Sequence, residues 1–242
     1  MLIKSQVKYI QSLSHKKLRD SEGVFVAEGP KLINELLSAR LPLLELFAVR
    51  EWIEVQKPLP AAVTEISQGE LERISQLQTP NQVLGIFKKP DFSANKPLRN
   101  TISIMLDTIQ DPGNLGTIIR CADWFGISQV FCSTDCADAW NIKVVQATMG
   151  SIARVEVAYG SLEQWLEQDP DLPTYAAVLE GTDLRKHPHI KEGIIIIGNE
   201  SKGISDAVLA RCSNRITIPR HGQAESLNAA VATGIILSHL VG

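Results

Sequence analysis

Three short stretches gather side chains with more chemistry than a turn requires. DPGNLGTIIR (111–120) places Asn114 and Arg120 around two glycines, and GNESKGIS (198–205) places Glu200 between two more. IPRHGQAESLNAAVATG (218–234) carries Ser226 and Asn228. All three stretches carry Asn, Glu, Arg or Ser beside glycine. The first stretch has glycines fit to cradle phosphate, yet it lacks both the lysine of a P-loop and a G-x-G-x-x-G pattern. Each feature also has a plain structural use. The glycines fit positive φ, Asn114 or Ser226 fits a helix cap, Glu200 fits a solvated turn, and Arg120 fits a surface pair with Asp123.

All three stretches follow strand-like runs, where open α/β sheets place their ligands. Strands are expected at 101–107, 128–132, 155–158, 174–179, 193–198 and 215–218. Helices are expected at about 114–125, 140–149, 161–168 and 204–211, with a last one led in by 218–234. The run Ile194–Ile197 is apolar on both faces, as a strand covered by helices on both sides must be. Upstream lies a smaller alternating block: helix 4–15, strand 23–28, helix 30–39 opened by Pro30, strands 44–49 and 63–66, helix 68–77 and strand 83–88. The proline-bearing KPDFSANKPLRN (89–100) has no periodicity and reads as a linker. The domains expected are therefore 1–90 and 101–242, joined by 91–100.

The 44% hydrophobic and 21% charged content fits a globular protein. No apolar run approaches the ~18 residues of a membrane helix, and MLIKSQVKYIQS lacks the apolar centre of a signal peptide. A cytoplasmic protein without membrane contact is expected. Cys121, Cys132, Cys136 and Cys212 supply no second pair at zinc-finger spacing, so buried thiols and no metal are expected. Net charge is −3, but residues 1–90 sum to +2 and the remainder to −5. Lys4, Lys8, Lys16, Lys17 and Arg19 precede any acid, which fits either a solvated helix face or contact with phosphates.

The segments LDTIQDPGNLGTIIRCADWFG, IIIIGNESKGIS and ITIPRHGQAESLNAAVA resemble motifs 1, 2 and 3 of the SpoU/TrmH branch of the SPOUT RNA methyltransferases. GVFVAEGPKLINELL and LQTPNQVLGIF resemble the small RNA-binding domain of many members. The resemblance implies an α/β fold whose C-terminal domain is a deep trefoil α/β-knot with a mostly parallel sheet. A smaller L30e-like α/β domain that binds RNA precedes it. It implies a homodimer that transfers methyl from S-adenosyl-L-methionine to a ribose 2′-hydroxyl of RNA, rRNA being favoured over tRNA. The alternative is an RNA-binding assembly factor that kept the fold and lost catalysis.

By the same resemblance Gly198, Ile218 and Leu227 hold the cofactor, while Asn114, Arg120, Glu200, Ser226 and Asn228 surround the reacting centre. Arg120 matches the arginine associated with activating the hydroxyl. A guanidinium stays protonated, so a grip on phosphate and on developing alkoxide suits it better than a base's role. Glu200 either orients that guanidinium or takes the proton. Arg220-His221 departs from the family pattern, which commonly has methionine at the first position. Two further expectations follow. Valine at 198 abolishes cofactor binding with the fold intact, and residues 91–242 suffice for folding, dimerisation and cofactor binding.

Overall fold

The computed structural model describes residues 2–58, 60, 63–92 and 98–241. Residues 93–97 of the expected linker lie outside the described residues. The chain divides into two compact units. One is 1–91 together with 140–153, and the other is 92–139 together with 154–242.

In the first unit, helices α1 (Lys4–Ser12) and α2 (Lys16–Glu22) lead into β1 (Val24–Glu28), α3 (Pro30–Ser38), β2 (Leu43–Ala48) and α4 (Arg50–Val55). Then follow β3 (Val63–Glu65), α5 (Gln68–Ile74) and β4 (Val83–Lys88). The sheet order is β1-β4-β2-β3, with β4 antiparallel to both neighbours and β2 parallel to β3. The expected helix 4–15 ends at Ser12, and the separate helix α2 follows after a turn. Arg19 explains the break, because its guanidinium is buried and donates to the carbonyls of Leu13 (2.7 Å) and Ser14 (2.7 Å) in the connecting turn. That arginine is an internal brace rather than part of a basic surface, whereas Lys4, Lys8, Lys16 and Lys17 are exposed.

The segment 140–153, expected in the second block, packs within this first unit. Its helix α7 (Ile142–Thr148) lies against β1, and Gln146 Nε2 donates to the Glu28 carbonyl at 2.8 Å. Trp140 stands 5.0 Å from Phe25 between ring centroids, with the Lys89 ammonium 5.5 Å from its ring. Ile142 packs on the core that contains Val7, Phe47 and Leu84. The helix was legible from its periodicity; its burial partner was not, because periodicity does not say which core a face meets.

The second unit runs β5 (Ile102–Asp107), α6 (Pro112–Trp124), β6 (Gln129–Cys132), β7 (Glu156–Tyr159), α8 (Leu162–Gln168) and β8 (Thr174–Asp183). It continues through β9 (Gly193–Gly198), α9 (Asp206–Leu209), β10 (Asn214–Thr217) and α10 (Ala229–Leu240). Its six strands lie in the order β10-β8-β9-β5-β6-β7, and every neighbouring pair is parallel. The central pair is β9 and β5, with Ile194–Ile197 and Ile104–Leu106 buried. Its register sets Asp107 opposite Gly198 at the C-terminal edge. Strand β8 extends four residues beyond expectation, where it meets β10 after a shift in register.

Candidate active site

Asp107 and Gly198 end adjacent strands, so the loops that follow them start side by side. The buried Asp107 carboxylate accepts from Ser205 N at 2.8 Å and from Thr108 Oγ1 at 3.0 Å, tying the second loop's far end to the first loop's start. Thr108 holds φ +59°, a region that β-branched residues avoid. Its surroundings fix it there. Its N–H donates to Ser133 Oγ at 2.9 Å, and its carbonyl accepts from Asn199 Nδ2 at 2.9 Å. Strain maintained by such over-determined contacts is characteristic of functional loops.

The second loop is a tight reversal. Asn199 and Gly203 exchange backbone hydrogen bonds at 3.0 and 2.8 Å, and the Asn199 side-chain oxygen accepts from the N–H groups of Ser201 and Lys202. Gly203 takes φ +70°, which favours glycine. Gly198 has no positive φ; its requirement is space. A Cβ there would overlap the backbone of Gly203 and Ile204, so valine at 198 is incompatible with this loop. The expectation of an intact fold in that variant is therefore corrected.

Helix α6 begins two residues earlier than expected because its cap is Asp111, not Asn114. The Asp111 carboxylate accepts from Asn114 N at 2.7 Å, with Pro112 in the first turn. Asn114 is thereby released from capping. Its Nδ2 donates to Glu200 Oε1, and its Oδ1 accepts from Asn228 Nδ2 at 2.8 Å. Asn228, not Ser226, caps α10, its own Oδ1 accepting from Ala230 N (3.0 Å) and Val231 N (3.2 Å). Asn114, Glu200 and Asn228 thus form one chain of hydrogen bonds through all three loops.

The remaining expected site residues are placed but not joined to that chain. Arg120 is exposed on α6, one and a half turns past Asn114, with no hydrogen bond or ion pair among the described residues. Asp123, its expected surface partner, is engaged by Arg154 at 2.7 Å, and the Glu200 carboxylate is engaged by Asn114. Ser226 is exposed without a hydrogen bond among the described residues. Ile218 is half-buried and Leu227 is 45% exposed, leaving apolar surface on a loop of mostly polar residues. Arg220 donates to the Ala224 carbonyl at 3.2 Å and so shapes that loop. Asp107, Thr108 and Asn199 went unnoticed in the sequence; an acid closing an apolar strand was the one signal available for Asp107.

Comparison with known proteins decides the family. The model of the SpoU rRNA Methylase family matches residues 101–238. The chain belongs to the SpoU rRNA methylase family. Residues 4–85 match the MRM3-like substrate binding domain. Over 98% of this chain and 96% of its own length, the 23S rRNA (guanosine(2553)-2′-O)-methyltransferase RlmP of Bacillus subtilis is 30% identical. A TrmH-family protein from Porphyromonas gingivalis superposes with a TM-score of 0.86, at 36% identity over 99% of this chain and 98% of that one. The AdoMet-bound rRNA methyltransferase from Sinorhizobium meliloti does so with a TM-score of 0.81, at 31% identity over 99% and 95%. The hydrogen-bonded triad of this SpoU-family chain joins residues from all three loops.

Proposed function

We infer that this chain methylates a ribose 2′-hydroxyl of RNA, with rRNA as its substrate class and S-adenosylmethionine as donor. The observation that carries the reading is the Glu200–Asn114–Asn228 chain at the C-terminal edge of the parallel sheet in a SpoU-family protein. The donor supplies an electrophilic methyl group on a sulfonium. Its adenosine needs apolar walls and main-chain partners. Ile218 and Leu227 leave apolar surface beyond the strands, and the glycine at 198 lets backbone pack against backbone.

The protein's task is to hold an oxygen in line with that methyl and to manage one proton. Positioning of this kind supplies roughly 7–11 kcal/mol of barrier reduction. Asn114 is held by two partners and presents a fixed amide beside the Glu200 carboxylate. Arg120 offers an unengaged planar fork for the phosphate next to the reacting ribose and for negative charge on its oxygen. Glu200 is the nearby group chemically able to receive the proton.

The same proposal includes a homodimer, the trefoil knot and a cytoplasmic site of action. Helices α6 and α10 pack on each other and leave Trp124 83%, Val231 52% and Ile235 40% exposed, an apolar face suited to a second copy. No helix among the described residues is long and apolar enough to cross a membrane. In the first unit, exposed Lys4, Lys8 and Lys17 are the candidates for phosphate contact, while Lys16 is paired with Asp20 at 2.5 Å.

The decisive experiment incubates the protein with methyl-labelled S-adenosylmethionine and total RNA from cells lacking it, then maps the label by mass spectrometry. Label on a ribose oxygen of rRNA is expected. Label on a base overturns the reaction. RNA binding without label points to an assembly factor.

A further inference from the structure

Beneath the first catalytic loop lies a second cluster that methyl transfer does not use. Strand β6 ends at Cys132, and a turn returns the chain so that Cys136 N donates to the Ser133 carbonyl at 3.1 Å. The Cys136 sulfur accepts from Ile109 N at 3.2 Å, lies 3.5 Å from Ser133 Oγ and donates to the Leu106 carbonyl at 3.4 Å. Cys132 and Cys136 sit at the two ends of this turn, where each shifts the other's acidity, and both are free rather than bridged. Ala137 N donates to the Ile109 carbonyl at 2.8 Å, and the Tyr159 hydroxyl clamps the same turn by donating to Ala137 O at 2.6 Å. The turn 132–137 is thus bonded to residues 106–109, the segment whose Asp107 and Thr108 anchor the second loop.

The four cysteines differ in kind. Burial pushes the Cys121 and Cys212 thiols up. Cys136 is held down at about 7 by its interaction with Cys132, with Ser133 and the amides of Ile109 and Thr108 adding to it, while Cys132 is pushed up by Cys136 and by burial. Thiolates, not thiols, react with oxidants. Cys136 is 9% exposed and Cys132 0%, which admits a reagent the size of water more readily than a bulky disulfide.

We propose that Cys132 and Cys136 form a modifiable dithiol that takes hydrogen peroxide as oxidant and closes to a disulfide beneath the catalytic loop. The Cys136 thiolate attacks one peroxide oxygen, the O–O bond breaks, and the departing hydroxide takes up a proton to leave as water. Cys136 is then a sulfenic acid. The Cys132 sulfur attacks the Cys136 sulfur, and the sulfenic hydroxyl leaves as a second water with the Cys132 proton. Two thiols lose two electrons, and one peroxide becomes two waters. The new bond draws the Cys136 sulfur from the Ile109 amide, loosening the segment that carries Asp107 and Thr108. Oxidation therefore lowers methyl transfer, and a thiol reductant restores it.

The fall in activity rests on the methyl-transfer reading; the bridge does not, so the test reads both. The reduced full chain is treated with peroxide, unfolded, alkylated with iodoacetamide and mapped by mass spectrometry. The 132–136 segment is expected to lack alkylation and to be lighter by two hydrogen atoms, with Cys121 and Cys212 alkylated. Methyl transfer is expected to fall several-fold and to recover with dithiothreitol. In Cys132→Ala, which spares the Ile109 contact, dimedone is expected to trap a sulfenic acid at Cys136. Alkylation of both cysteines after peroxide, or a sulfinic acid at Cys136 of the unaltered chain without a bridge, overturns the dithiol. A bridge with undiminished methylation overturns its coupling to the active site. Inactivity of the reduced protein counts against the methyl-transfer reading alone.

Discussion

Asn228 donates to Asn114 across 114 residues of sequence, at 2.8 Å, while capping its own helix. The polarity of this contact is fixed from both ends. The Glu200 carboxylate only accepts, so Asn114 must turn its Nδ2 there and its Oδ1 to Asn228. The first amides of α10 only donate, so Asn228 must give them its oxygen and Asn114 its nitrogen. The helix start and the Glu200 carboxylate thereby specify one arrangement.

Asn228→Asp separates the two roles. An aspartate caps as well as asparagine does, but it has no donor for Asn114. The melting temperature should stay near that of the parent while methyl transfer falls by about 10²-fold, the cost typical of a misplaced catalytic group. Asn228→Ala should lose both, including about 1 kcal/mol from the cap. Thermal melts beside single-turnover methylation separate these outcomes; an aspartate variant with parental activity removes Asn228 from the site.

Arg120→Lys should lower single-turnover methylation by about 10²–10³-fold, since lysine keeps the charge but lacks the planar fork. Arg120 has no partner among the described residues, so its loss leaves no group unpaired. Melting temperature and cofactor titration should be unchanged. Turnover within a few-fold of the parent returns Arg120 to a surface role.

At Gly198 even alanine meets the backbone of Gly203 and Ile204. Gly198→Ala should cost about 1–3 kcal/mol, as overpacking does, and weaken S-adenosylmethionine binding as the second loop shifts. Calorimetric melting and titration check both; an unchanged melt contradicts the close approach.

Residues 91–242 alone carry Trp140, Ile142 and Gln146 without Phe25, the first-unit core and the Glu28 carbonyl they pack against. Against the expectation of a self-sufficient fragment, it should melt below the full chain and bind a dye that reports exposed apolar surface. A fragment that melts with the full chain and binds no dye refutes this.

Glu28 is buried, and burial raises its carboxyl above the ordinary value of 4.5, although Ser75 Oγ (2.5 Å) and Gln76 N (2.8 Å) both donate to it. The native state then holds its proton more tightly than the unfolded chain does. Its contribution is present below 4.5 and lost as pH rises through the raised value. Glu28→Gln should flatten that part of the stability–pH curve, with stability at neutral pH equal or higher. A variant whose melting curve keeps the parent's slope there argues against a buried charge.

The sequence by itself determined on which elements the candidate site residues sit. Apolar runs such as Ile194–Ile197 announced strands, and three loops in order announced the family. Their proximity also followed, because parallel strands send their C-terminal ends to one edge. Tertiary structure decided the contacts. Asp111 took the cap expected of Asn114, and Asn228 took that expected of Ser226, because a cap depends on the loop's exact path. Arg154 claimed Asp123 from 31 residues away, leaving Arg120 exposed. Helix α7 found its core in the other unit. Pattern and propensity are local quantities; partner choice is settled only when distant segments compete for the same donors, acceptors and apolar surface.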